Sequence, residues 1–397
     1  MKRYALALTV LAFLVVEAGW AAVVVMANKG TDFYLYYLAA EALKRGQDIY
    51  SLDATEWQRL AIEVNVPHYV TPYLYPPLLA TLIQPLTLLP PRFAFAIWSG
   101  INVLVVLITA LWLSRWLADR WVVPWIFIGL AGYVPVLTTV YAGQVNLFVL
   151  LSVVAYLYAL ARGRPAGAGL ALAMGVLLKP ISVTLALHAA WKFLARTVLW
   201  LFVGLVLLGF IAIPLIGLKP YQTYLRLSLS LANLMQAGEP VVYPPNQGLS
   251  GFFGRLLTHH EFGSALTHNP ALAKTLTLSV SAVLALATAA LCWPGKFSKD
   301  LFLLEAGLVV VTTHLIAPVS WFHHMALAFV ALSVAWQSAS GWERVCILIA
   351  YFLMNLQGLF WHPLVGHTLL LSLGTYGLLV LWGVLAWQMV KHRRRPW

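Results

Sequence analysis

The chain has 397 residues, 61% of them hydrophobic and only 10% charged, with 17 tryptophans and a mean hydropathy of +0.83. Soluble domains carry about 25% charged residues and break up their apolar runs, so an ordinary soluble protein is excluded. The net charge of +12 lies mostly where apolar runs end, which reads as membrane topology and not as a nucleic-acid surface.

Apolar stretches of roughly 18 or more residues, the length that crosses a bilayer, recur from end to end. Their continuity, as over residues 197–217, excludes a β-barrel, whose strands alternate over about 10 residues. The expected fold class is therefore an all-α polytopic membrane protein. Spans are placed at about 5–27, 93–114, 121–141, 145–161, 166–178, 181–193, 197–217, 270–292, 301–317, 325–338, 344–361 and 367–390, twelve in all. The first is too long for a signal peptide and lacks a clean cleavage site, so it counts as a span. Lys2 and Arg3 before it, and Lys391, Arg393, Arg394 and Arg395 after the last, put both termini in the cytoplasm. Arg115 and Arg120, Arg162 and Arg164, Lys192 and Arg196, Lys296 and Lys299, and Arg344 then all fall on the cytoplasmic side. With no repeat and no linker, residues 1–397 read as a single transmembrane domain in the cell membrane.

Between the spans, residues 28–92 form an external juxtamembrane or re-entrant segment. Asp32 opens a helix in which Phe33, Tyr36, Tyr37 and Ala40 repeat at helical spacing opposite Glu41, Lys44 and Arg45, with Gly46 as its stop. That pattern is expected to lie on the membrane surface. Residues 74–90 are apolar but interrupted by Pro76, Pro77 and Pro85, and a span there would invert every later loop. Residues 166–193 read as a hairpin of two half-length helices, each covering roughly 20 Å of a 30 Å core, with Lys179 at its tip. Residues 218–269 are a long external loop. Cys292 and Cys346 fall near cytoplasmic helix ends, which suits neither a disulfide nor a metal site.

Topology gathers the unusual polar residues on the outer side: Asp32, Tyr75, Gln144, Asn146, Lys179, Asn246, Gln247, Arg255, Trp321, His323 and His324. Each has two readings. Asp32 is a helix N-cap, a general base, or both. Lys179 is an ammonium at membrane depth that faces an anion such as phosphate, or one that snorkels to a headgroup. His323 and His324 diverge by about 100° on a helix, so one contacts a ligand while the other packs, or both are structural. Gln144 and Asn146 cap a helix or line a site, and Asn246-Gln247 after two prolines form a turn or a binding loop. Glu17 and Glu305 lie inside spans with no partner assignable from sequence. No DxD, HExxH, P-loop or GxGxxG motif occurs.

At these residues the chain resembles the GT-C superfamily of polyprenyl-phosphate-sugar-dependent glycosyltransferases, specifically family 87, which includes bacterial mannosyltransferases that extend phosphatidylinositol mannosides. The matching stretches are TDFYLYYLAAEALKRGQDIY, YLYPPLLA, YAGQVNLFVLL, GLALAMGVLLKP, NQGLSGFFGR and APVSWFHHMAL, in the family's order. The resemblance implies a GT-C fold, an extracytoplasmic active site and an inverting transfer of a sugar, mannose above all, from a polyprenyl-phosphate donor to a lipid-linked or glycan acceptor. It puts Asp32 at the general base and Lys179, His323 and His324 at the donor phosphate. Sugar and acceptor contacts fall to Tyr36, Tyr75, Gln144, Asn146, Asn246, Gln247, Arg255 and Trp321. No metal or nucleotide cofactor is implied, because cationic side chains can offset the charge of the departing lipid phosphate. Gly248 departs from the pattern, which has a hydroxyl residue there. The competing readings are arabinofuranosyl transfer by the same fold and a lipid or sugar transporter; against the latter, the halves show no internal repeat.

Overall fold

The computed structural model describes residues 2–69, 72–116, 123–234, 239–295, 298–360, 362 and 364–393. Of the charges used to set topology, Arg120, Lys296, Arg394 and Arg395 lie outside the described residues. The described chain is helical, with no strand beyond isolated bridges. In order it forms α1 (Lys2–Met26), α2 (Thr31–Lys44), α3 (Ala54–Glu63), α4 (Pro77–Ile83), α5 (Pro91–Trp116), α6 (Val123–Ala131), α7 (Val134–Ala142), α8 (Asn146–Ala161) and α9 (Pro165–Leu178). There follow α10 (Val183–Trp191), α11 (Ala195–Ile216), α12 (Lys219–Leu234), α13 (Glu239–Val242), α14 (Leu249–Leu257) and α15 (Pro270–Leu291). The last four are α16 (Lys299–Ile316), α17 (Ala328–Ser338), α18 (Trp342–Phe360) and α19 (Leu373–Arg393).

Among the described residues, five helices are long and apolar enough to cross a bilayer: α1, α5, α11, α15 and α19 with the 3₁₀ turn before it. The pair α6 and α7, bent by 52°, would make a sixth. Of the other expected spans, α16 with 18 residues and α18 with 19 are long but are not among these five, whereas α8 with 16 residues and α9 with 14 are short. At 1.5 Å per residue neither reaches across a core about 30 Å thick. Residues 77–88 are a short helix and a 3₁₀ turn, so the proline-interrupted segment does not form a span-length helix. Local chemistry sets many of the ends. Proline occupies the first turn of α4, α9 and α15, where its missing N–H costs nothing. Asp53 and Glu56 close a reciprocal capping box on α3.

The chain divides into two compact units. The first comprises residues 1–132, 136–182 and 196–230. Within it α1 packs on α5 and α6, α8 packs on α5 and α9, and α2 lies among α3, α4 and α5. This corrects the expectation of a helix lying on the membrane with one wet face, because every residue from Phe33 to Leu43 is buried. Phe33 meets Phe95 and Trp98 at 5.5 and 5.8 Å, Tyr37 donates to the Leu89 carbonyl, and the Glu41 carboxylate is neutralised by Lys44 at 2.8 Å and Arg45 at 3.2 Å. Glu17 is fully buried on α1, and neither of its carboxyl oxygens has a hydrogen-bond partner among the described residues.

The second unit comprises residues 133–135, 183–195 and 231–397. Its centre is α16, buried from Phe302 to Leu315 against α10, α15, α17 and α19. Glu305, for which the sequence offered no partner, accepts from Lys192 at 3.0 Å, faces His188 Nε2 at 3.1 Å and lies 3.8 Å from Arg393. Lys192 and Arg393 also donate to the carbonyl of Trp293, which tethers the ends of α10, α15 and α19 to α16.

Candidate active site

The twelve candidate residues fall into two groups of six, one in each unit. In the first, Gly30 is the N-cap of α2, with φ of 100°, and a Cβ there would lie 2.5 Å from the Phe95 ring. Asp32 is therefore not the cap, as one reading of the sequence had it; it sits in the first turn, and its Oδ1 accepts from side chains of other segments. Gly143 makes the second tight approach. It is left-handed at φ of 68° and lies where any Cβ would strike Phe33, while its carbonyl takes a hydrogen bond from Trp98. The turn between α7 and α8 is thereby pressed against α2, and Gln144 is brought to Asp32.

Gln144 is the hub. Its Nε2 donates to Asp32 Oδ1 at 2.5 Å and to Tyr75 Oη at 2.8 Å. Its Oε1 accepts from Tyr36 at 2.9 Å and from Lys179 at 3.4 Å. Because an ammonium only donates and a carboxylate only accepts, these two neighbours fix which way the amide points. Lys179 also donates to Asn146 Oδ1 at 2.8 Å and stands 5.4 Å from the centre of the Tyr75 ring. Its placement follows from the next residue: Pro180 disfavours the helical conformation at Lys179, which takes φ of −158° and ψ of 122° and ends α9.

Burial pushes the Asp32 carboxyl up from 3.8 to about 6, while the Lys179 ammonium and hydrogen bonds from Tyr75, Gln144 and Thr31 pull it down. Burial, reinforced by the adjacent carboxylate, holds the Tyr75 phenol well above its ordinary range, so it remains a donor to Asp32 at 3.4 Å. A carboxylate with an affinity for protons near neutrality is suited to take a proton from a hydroxyl.

The second group is built differently. Asn246 is fully buried; its Nδ2 donates to the Val241 carbonyl and its Oδ1 accepts from the Gly248 and Ser320 amides. Gln247, also fully buried, donates to the carbonyls of Pro244 and Leu371 and accepts from the Thr375 amide. Arg255 has no exposed surface and donates to the carbonyls of Tyr243 and Asn246 and to the Ser372 hydroxyl. These three sew residues 241–248 to residues 320–322 and to the start of α19. Glycine at 248 is explained by space, since a Cβ would come within 2.9 Å of the Ala317 carbonyl. His323 and His324 lie on a 3₁₀ turn, Phe322–Leu327, with rings 4.8 Å apart; His324 is buried, while His323 and Trp321 are half-buried.

Among the described residues, His188, Cys292 and Glu305 bring ligand atoms within 4.8 Å of one another, a cluster the sequence did not reveal. Lys192 and Arg393 already face that carboxylate, so a divalent cation would add to two positive charges. The cluster reads as an ion-pair network.

Bilayer-length apolar helices, and a half-buried carboxylate and lysine joined through a buried amide at helix ends, describe an enzyme built into a membrane. The family model of glycosyltransferase family 87 matches residues 73–318, more than half of the chain, and the chain belongs to that family. It is a membrane glycosyltransferase. No curated protein matches it. Tyr75, Gln144, Asn146, Lys179, Asn246, Gln247 and Arg255 lie inside the matched range, whereas Asp32, Tyr36, Trp321, His323 and His324 lie outside it.

Proposed function

We propose that the enzyme transfers mannose from a polyprenyl-phosphate donor to a hydroxyl of a lipid-linked or glycan acceptor on the extracytoplasmic face, with inversion at the anomeric carbon. The observation that carries this reading is the Gln144 amide, which ties the Asp32 carboxylate to the Lys179 ammonium. Base and cation are thus held apart by one planar group, the separation that an in-line displacement calls for. Gln144 and Tyr75 both donate to Asp32 Oδ1. We assign Oδ2 to the acceptor: it takes the hydroxyl proton as the oxygen attacks the anomeric carbon. The bond to the phosphate oxygen breaks on the opposite face, and Lys179 stabilises the negative charge that leaves with the lipid phosphate. In this scheme neither metal nor nucleotide takes part.

His323 and His324 take their donor-phosphate role, and Trp321 its sugar contact, from the family resemblance. Of the two histidines we assign the ligand contact to His323, which is half-buried where His324 is buried. For Asn246, Gln247 and Arg255 the burial favours a supporting role over direct sugar contact.

The test incubates the purified enzyme with a panel of polyprenyl-phosphate sugars and host lipid extract. Consumption of the mannosyl donor, with an inverted linkage in the product, is expected. Preference for an arabinofuranosyl donor would overturn the sugar, and consumption of none would overturn the donor class.

A further inference from the structure

Tyrosines from separate segments of the first unit meet ring to ring beside the base. Tyr75, which donates to Asp32, lies 5.6 Å from Tyr73; Tyr73 lies 5.9 Å from Tyr50; and Tyr50 lies 5.6 Å from Tyr224 on α12. Tyr50 and Tyr224 are 174 residues apart in the sequence and are brought together only by the fold. Tyr73 is buried, whereas Tyr50, Tyr75 and Tyr224 are half-buried. Their hydroxyls lock the rings: Tyr50 donates to the Tyr75 carbonyl at 2.6 Å and Tyr73 to the Pro76 carbonyl at 3.2 Å. At the far end a carboxylate waits. Asp48 accepts from Thr223 at 2.9 Å and from Ser51 at 3.1 Å, which joins the loop after α2 to α12.

We propose that this tyrosine run is the acceptor subsite, and that it holds a pyranose ring of a glycan acceptor against Tyr50, Tyr75 and Tyr224. The inference rests on the glycosyl-transfer reading and supplies the class of its acceptor. A pyranose ring has an apolar C–H face that lies flat on an aromatic ring, and a rim of hydroxyls that needs polar partners. The run supplies both, with rings immobilised in advance so that little side-chain freedom is lost on binding. Continuity with Tyr75 leads the bound glycan to Asp32.

The experiment uses the detergent-solubilised full chain, without donor, and reads saturation transfer by NMR to α-mannobiose. Saturation of the ring protons is expected in the parent, with at least a fivefold loss in Tyr224→Leu and recovery in Tyr224→Phe. Asp48→Ala, at a half-exposed turn, is the second variant and is expected to weaken the signal at least threefold while melting near the parent temperature. In turnover, Tyr224→Leu is expected to raise the acceptor KM about tenfold with kcat and donor KM held. Absence of saturation in the parent, or signals equal to the parent in both Tyr224→Leu and Asp48→Ala, would overturn the subsite. Because no donor is present, this result is independent of whether the enzyme consumes a polyprenyl-phosphate sugar.

Discussion

Two clusters of polar side chains are held in this protein by different kinds of partner. Around Gln144, side chains bond to side chains: a carboxylate, two phenols, two amides and an ammonium share one network. Around Asn246, side chains bond mostly to backbone, and Arg255 and Gln247 each hold two carbonyls. A side chain bonded to another side chain can exchange that partner for a substrate group of the same polarity. One that satisfies buried carbonyls cannot leave without exposing them at a cost of about 1 to 3 kcal/mol each. The difference separates residues that act from residues that hold, and mutation should separate them again: changes in the first cluster should cost rate, changes in the second stability.

The largest effect belongs to Asp32→Asn. The amide oxygen can still accept from Gln144 and Tyr75, so the fold should persist, but the proton has nowhere to go, and transfer should fall by about 10²- to 10⁴-fold. Stability should move the other way with pH. A carboxyl raised from 3.8 to about 6 holds its proton in the folded chain after the unfolded chain has released it, so stability is lost as pH rises across that window. Asp32→Asn escapes this loss, and its melting temperature at pH 8 should equal or exceed that of the parent. Near-parental transfer by the well-folded variant would send the search for the base to Asp48, Asp53 and Glu56.

Next comes Lys179→Met, which keeps the stem and removes the charge. If the ammonium stabilises the departing phosphate, transfer should fall by about 10²-fold, the scale of losing one preorganised donor to a developing anion. Unchanged donor turnover would assign Lys179 to structure. In the second cluster, Arg255→Met should do the opposite. It strips donors from the carbonyls of Tyr243 and Asn246 and from Ser372, and thermal or denaturant unfolding should show a loss of about 3 kcal/mol or more. The activity that remains should track the folded fraction. A fully stable Arg255→Met with a specific defect in acceptor KM would erase the distinction between the clusters.

Much of this arrangement can be read from sequence where a cause is local. Lys179 before Pro180 announces its own helix end, and Gly46 ends α2, where it is left-handed at φ of 74°. The helical placement of most expected spans follows from apolar runs alone. What cannot be read depends on partners far along the chain. In α2 the periodic face Phe33, Tyr36, Tyr37 and Ala40 suggested one dry side, but Leu35, Leu38 and Ala39 are buried too, because α4 and α5 cover what periodicity leaves open. Glu305 finds His188 117 residues away, and no spacing rule links them. Asp32 looked like a cap because it stands at the helix start, yet Gly30 takes that place, where a left-handed backbone and the tertiary approach of Phe95 call for a glycine.

The smallest expected effect tests the coupling within the first cluster. Asp32 must be ionised to act as a base, so in the parent kcat/KM should fall by about tenfold per pH unit below about 6. Lys179 lowers the affinity of Asp32 for protons by its charge, against the larger effect of burial. Without that ammonium the carboxyl keeps the burial and loses the compensation. The acid limb of Lys179→Met should therefore shift to higher pH, by about one unit, at the low end of what a nearby opposite charge does to a carboxyl. The shift can be read on the residual activity of the variant, since a limb's position does not depend on the height of its plateau. Arg255→Met, whose charge is not among those that shift the Asp32 carboxyl, should leave the limb where it is. A limb that stays near 6 in Lys179→Met would mean that Asp32 and Lys179 are neighbours through Gln144 without being electrically coupled, and Lys179 would then serve the phosphate alone.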